Sequence, residues 1–142
     1  MSSEIARGLD ILELQPSGFL SQNEIDAAKL VHFDYLNVQD QPKLVWPASF
    51  VVARAYLDQL GRSNGLAPDK VAAARSALAR AERLSGPQRR DALTQLATQL
   101  NPESRGGPVV VVGGVPIDSR AVDQGKLGTL AATVQDLANA TR

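Results

Sequence analysis

The chain contains no cysteine. Disulfide frameworks, cysteine zinc sites and thiol nucleophiles are therefore excluded. That absence suits the cytosol, and equally suits an exported protein that avoids wrong pairing. Aromatic residues make up only 4% of the chain. Their scarcity beside many Ala and Leu in the middle favours close-packed helices over a β-sandwich, because Ala and Leu have the best helix propensities. Positive charge is not in excess: 15 Lys and Arg stand against 15 Asp and Glu. A nucleic-acid binder displaces counterions with surplus positive charge, so no nucleic-acid partner is expected. No run approaches the ~20 apolar residues that a membrane helix needs, so no membrane insertion is expected. The first residues are polar and no long apolar run follows them, so export would need a signal upstream.

What is there is a 142-residue chain, 44% hydrophobic, enough for one domain with a modest core. The run from Ser3 to Gln15 alternates apolar and polar side chains near its end and reads as one strand. Ile5, Leu9, Ile11, Leu12 and Leu14 carry its apolar character, and Gly8 marks a bend or bulge. Nothing beside it in sequence offers a hairpin partner. Pro16-Ser17-Gly18 then breaks the pattern.

Ser21-Gln22-Asn23-Glu24 is a capping box, the most specific local signal in the chain. The Ser21 hydroxyl can accept from the Glu24 amide while the Glu24 carboxylate reaches back to the Ser21 amide. Leu20 and Ile25 occupy the two positions of a hydrophobic staple. A helix from about 22 to 31 follows. An irregular connection with a central Pro42 leads to Pro47, placed as a first-turn proline. Ala48 to Leu60 then reads as a helix ending at Gly61. Pro68 opens a third helix with Val71, Ala74, Leu78 and Ala81 on one face. Ser85-Gly86-Pro87 punctuates it. A fourth helix with Leu93, Leu96, Ala97 and Leu100 follows and is expected to stop at Asn101-Pro102. So short a turn makes helices three and four an antiparallel hairpin. A last helix begins after Asp118 or Ser119.

Between them lies Val109-Val110-Val111-Val112-Gly113-Gly114-Val115. It reads either as a buried strand or as an extended connection. It lacks both the G-x-G-x-x-G fingerprint and a Walker lysine, so it is a weak nucleotide signal. If exposed, four valines bounded by glycines form an adhesive edge.

Candidate chemistry is thin. His32 beside Asp34 could be a general base with its orienting carboxylate, against the plainer reading of a helix-end histidine. Asp26, Asp34 and Asp40 carry no metal-loop spacing and read as solvated carboxylates. No metal site, cofactor or catalytic residue is expected. Arg62, Arg75, Arg80, Arg83, Arg89 and Arg90 could form a patch for an anionic ligand, or simply a solvated helix face. Trp46, Phe50 and Tyr56 could line a small pocket, or plug the junction between a loop and the helical core.

Taken together, SEIARGLDILELQPSGFLSQNEIDAAKL, then KLVWPASFVVARAYLDQL and the Ala-rich helical hairpin, resemble the C-terminal part of secreted bacterial LVIVD-repeat β-propeller proteins. The resemblance runs from Ser3 to about Leu100, and more loosely over the last helix. The segment from Gly106 to Ile117 departs from that pattern, and the propeller blades are not present. The resemblance implies that the opening run is the closing strand of a propeller and that the rest is an exported, extracellular or periplasmic, non-enzymatic tail. It transfers no catalytic residue.

The expected fold is mainly α: four or five helices with one or two short β segments. Its regions are an N-terminal arm over 1–18, a helical core over 19–102, a Gly/Val-rich connection over 103–118 and a C-terminal helix over 119–142. The expected role is a non-catalytic structural or protein-interaction module that joins a protein partner or a second copy. Its contact residues would be Ile5, Leu9, Ile11, Leu14 and Val109 to Val112. The alternative is a binding module for a small or anionic ligand, at Trp46 to Tyr56 or on the arginine face. The apolar residues of the opening run should fold back on the helices, pair with the valine run, or pair with another copy.

Overall fold

A computed structural model describes residues 2–4, 8–10, 12–33, 35, 37, 39, 44–104, 111–112, 115–116 and 119–141. The side chains of residues 2–4, 8–10, 102–104, 111–112, 115–116 and 119–121 are outside that description. Ile5, Ile11, Asp34, Asp40, Val109 and Val110 lie outside the described residues. The order is β1 (Ser2–Glu4), β2 (Gly8–Asp10), α1 (Gln22–Ala28), α2 (Phe50–Arg62), α3 (Pro68–Arg83), α4 (Gly86–Ser104), β3 (Val111–Val112), β4 (Val115–Pro116) and α5 (Ser119–Ala140).

The protein is mainly helical, and its centre is a ring of four helices. α2 packs on α3, α3 on α4, α4 on α5, and α5 returns to α2. α1 packs on the outside of α2. The apolar faces legible in the sequence close this ring. Leu57, Leu60, Leu78, Leu93, Leu130 and Val134 are fully buried at its centre. A smaller cluster of Ala27, Val52 and Ala55 joins α1 to α2.

The helix ends follow local chemistry. At α1 both halves of the capping box form: the Glu24 amide donates to Ser21 Oγ at 3.2 Å, and the Ser21 amide donates to Glu24 Oε2 at 2.7 Å. α1 ends at Ala28, three residues earlier than expected. The amides of Leu30 and Val31 instead donate to the carbonyls of Ala27 and Ala28, tightening the chain into short turns, and Leu30 is exposed with no core to extend the helix against.

α2 begins at Phe50 rather than Ala48, because Ser49 is its cap and accepts from the Val52 amide at 3.1 Å. Pro47 therefore lies before the helix. Gly61 is inside its last turn; the left-handed residue beyond the end is Asn64, with φ 56. The Gly65 amide donates to the Leu60 carbonyl at 2.9 Å, the six-to-one bond characteristic of a Schellman-type helix end. α3 opens on Pro68 without a side-chain cap. Its C-terminal carbonyls are met from α4: Arg89 donates to the carbonyls of Ala81 and Glu82, each at 3.2 Å. α4 runs past Asn101 and Pro102 to Ser104. Pro102 lacks only the donor that would serve the carbonyl of Thr98, one bond lost close to a helix end.

The opening run is not one strand. β1 pairs antiparallel with β2, in the register Ser2↔Asp10, Ser3↔Leu9 and Glu4↔Gly8. Folding the run on itself pairs backbone groups that a lone strand leaves unpaired, at little loop-closure cost. β2 therefore pairs with β1 rather than with the valine run. The valine segment likewise holds two strands: β3 pairs antiparallel with β4, Val112 opposite Val115, with Gly113-Gly114 between them.

Candidate functional site

Two sets of polar residues tie α1 to the ring. Arg62 of α2 holds Glu24 of α1 with two hydrogen bonds, at 2.7 and 3.0 Å. Such a bidentate pair fixes geometry as well as charge. The Arg62 hydrogen bonds, opposed by burial and helped by those of Ser21, bring the Glu24 carboxyl from its usual 4.5 down to about 2. Asp58 of α2 accepts from Asn23 of α1 at 2.8 Å and from Arg75 of α3 at 2.5 Å. Arg54 of α2 pairs with Glu82 of α3.

A third set joins the end of α2 to α5. Asp123 is buried; its Oδ1 accepts from Ser63 Oγ at 2.8 Å and lies 3.6 Å from Lys126 Nζ. A Cβ built on Gly65 would come within 2.6 Å of Asp123 Cβ and Cγ, so only glycine allows this approach.

These pairings bear on the arginine patch. Arg62 and Arg75 are engaged with carboxylates and Arg89 with carbonyls. Among the described residues Arg80, Arg83 and Arg90 hold no ion pair. The set is therefore not one free basic surface. Asp26 meets Gln22 Nε2 at 2.8 Å and Lys29 at 3.6 Å on the surface of α1. His32 is exposed beyond the end of α1. Among the described residues no group of three or more His, Asp or Glu could hold a metal. No helix among them is long and apolar enough to cross a membrane.

Of the three aromatics, the structure brings two together. Trp46 and Tyr56 line an open cleft of about 420 Å³ between α1, α2 and α5. Ala27, Val52 and Ala55 give it an apolar floor, and Gln59, Lys126 and Thr129 contribute polar atoms. Phe50 does not line the cleft; it is half-buried against the main core. Burial raises the Tyr56 phenol above its usual range, so it stays neutral. The cleft's α5 wall was not legible in the sequence, because Gly125, Lys126 and Thr129 lie some seventy positions from Tyr56 and carry no local motif.

A different feature of the surface concerns large apolar side chains. Of those exposed among the described residues, all but Val122 lie between Leu12 and Trp46. Phe19 is 89% exposed, Tyr35 79% and Leu14 63%, and Leu12, Leu44 and Val45 are also exposed. Leu14, an expected contact residue, therefore does not fold back on the helices.

No protein-family model matches this chain, and no curated protein or solved structure matches it.

Proposed function

We propose that the protein is a non-catalytic interaction module: a closed helical scaffold whose N-terminal third is covered by another protein surface. The observation that carries this reading is the concentration of exposed apolar side chains between Leu12 and Trp46. Exposed apolar surface that gathers into one patch is a mark of association, and these side chains share one stretch of the chain. A fully exposed aromatic offers roughly 150–250 Å². Phe19 and Tyr35, with the four aliphatic residues, thus supply several hundred Å², on the order of one side of a standard interface of about 800 Å² per partner. The polar clusters around Glu24, Asp58 and Asp123 support the non-catalytic half of the reading, because their charges are engaged in joining helices.

The partner is a β-propeller domain, in keeping with the resemblance of the N-terminal run, or a second copy when the chain is alone. The location that goes with this is outside the cytoplasm. Light scattering after size exclusion, run at several concentrations with and without a propeller domain, tests the proposal. A mass that rises with concentration, or a stable complex with the propeller, is the expected result. A strict monomer that binds no propeller overturns it.

A further inference from the structure

We propose that the cleft between Trp46, Tyr56 and Gly125 is a binding site for a small uncharged aromatic molecule carrying one hydrogen-bonding group. It stands apart from the protein-interaction reading and rests on a different observation. Gly125 lies inside α5, where glycine is less favourable than alanine. A Cβ placed there would meet nothing within 4 Å, so no neighbouring atom requires glycine at this position. Gly125 lines the cleft, and what its missing side chain preserves is the cleft's volume. That volume, about 420 Å³, falls within the ~300–1,000 Å³ typical of small-molecule sites.

The chemistry of the wall selects the ligand. Its floor is methyl groups, from Ala27, Val52 and Ala55, and two aromatic side chains border it. The charges at the rim are already matched: Glu24 by Arg62, and Lys126 by Asp123. An ionic ligand would therefore enter an apolar cleft with no unmatched counter-charge, which is unfavourable. The Thr129 hydroxyl donates its one proton to the Gly125 carbonyl at 2.9 Å, so it can offer a ligand only an acceptor. Gln59 and Tyr56 line the cleft, and neither the Gln59 side-chain amide nor the Tyr56 hydroxyl makes a hydrogen bond to another described residue. They are the neutral donors and acceptors that remain for a ligand's polar group.

The test uses three homologues of one ring: 2-phenylethanol, phenylacetate and phenethylammonium. Trp46 is the sole tryptophan, so its fluorescence reports from the cleft wall. 2-Phenylethanol should change that emission saturably. Each charged homologue should bind at least about tenfold more weakly, a difference of ~1.4 kcal/mol. Gly125→Leu should abolish the saturable change while the helical circular dichroism is kept. Gly125→Ala should weaken binding and raise the unfolding midpoint. No saturable change with 2-phenylethanol, equal binding of a charged homologue, or wild-type binding by a folded Gly125→Leu or Gly125→Ala protein overturns the proposal.

Discussion

The helical ring and the segment from Leu12 to Trp46 treat apolar residues in opposite ways. In α2–α5 the large side chains meet at one centre, and leucines such as Leu57 and Leu78 have no exposed surface. In the N-terminal segment Leu14, Phe19 and Tyr35 face solvent, and among its described residues burial is confined to Ile25 and Ala27 on α1. Both stretches are comparably apolar in sequence. The difference is periodicity. Residues recurring at i, i+3 and i+4 share one face and can bury one another, whereas an apolar residue in a turn or an irregular stretch has no shared face to join. Composition therefore does not separate a buried core from an exposed apolar segment; spacing does.

The comparison is broken most directly from the core side. Leu78→Ala removes a fully buried side chain and should cost about 2–5 kcal/mol in denaturant unfolding. Gly65→Ala should follow at roughly 1–3 kcal/mol, because the added methyl overlaps the buried Asp123. Its cost should shrink when Asp123→Gly, which removes the clashing Cβ as well as the carboxylate, is present, measured as a double-mutant cycle. Ser21→Ala should cost about 1 kcal/mol through the lost α1 cap.

Glu24 sharpens the same boundary, since it anchors α1 to the ring. Its folded value, about 2, lies below the usual 4.5. The stabilisation is therefore fully present above about 4.5 and is lost as pH falls from there through 2. Between those values the wild type should lose unfolding midpoint more steeply than Glu24→Gln. The smallest effect on stability belongs to the exposed segment: Phe19→Ser or Val45→Ser should change unfolding by no more than about 0.5 kcal/mol.

The sequence disclosed the parts that local rules govern. The capping box at Ser21 and Glu24 sits within four residues, and the faces of α2–α5 repeat with the helical period. Both were legible for that reason. The contacts that bring the α5 wall to the cleft and the Ser63–Asp123 bond join residues sixty or more positions apart, and no spacing announces them. Two other differences have local causes. The signal for β3–β4, valines flanking Gly-Gly, was present in the sequence, since two glycines between β-prone residues are a hairpin connection. Pro102 signals a stop by its usual effect, but close to a helix end the missing donor costs one bond and not the helix, and α4 runs on to Ser104. Of Trp46, Phe50 and Tyr56, which the sequence offers either as a pocket lining or as a plug, Trp46 and Tyr56 border the cleft, while Phe50, at the start of α2, packs on the main core.

The central claim is that the exposed apolar segment serves association and not folding. A single comparison tests it: mass by light scattering over a range of concentrations, with and without a propeller domain, for the wild type and for Phe19→Ser/Tyr35→Ser/Val45→Ser. The account predicts that the wild type associates, while the triple variant stays monomeric with an unchanged unfolding midpoint. A wild type that is monomeric throughout and binds no propeller, or a triple variant that associates equally well, would contradict it.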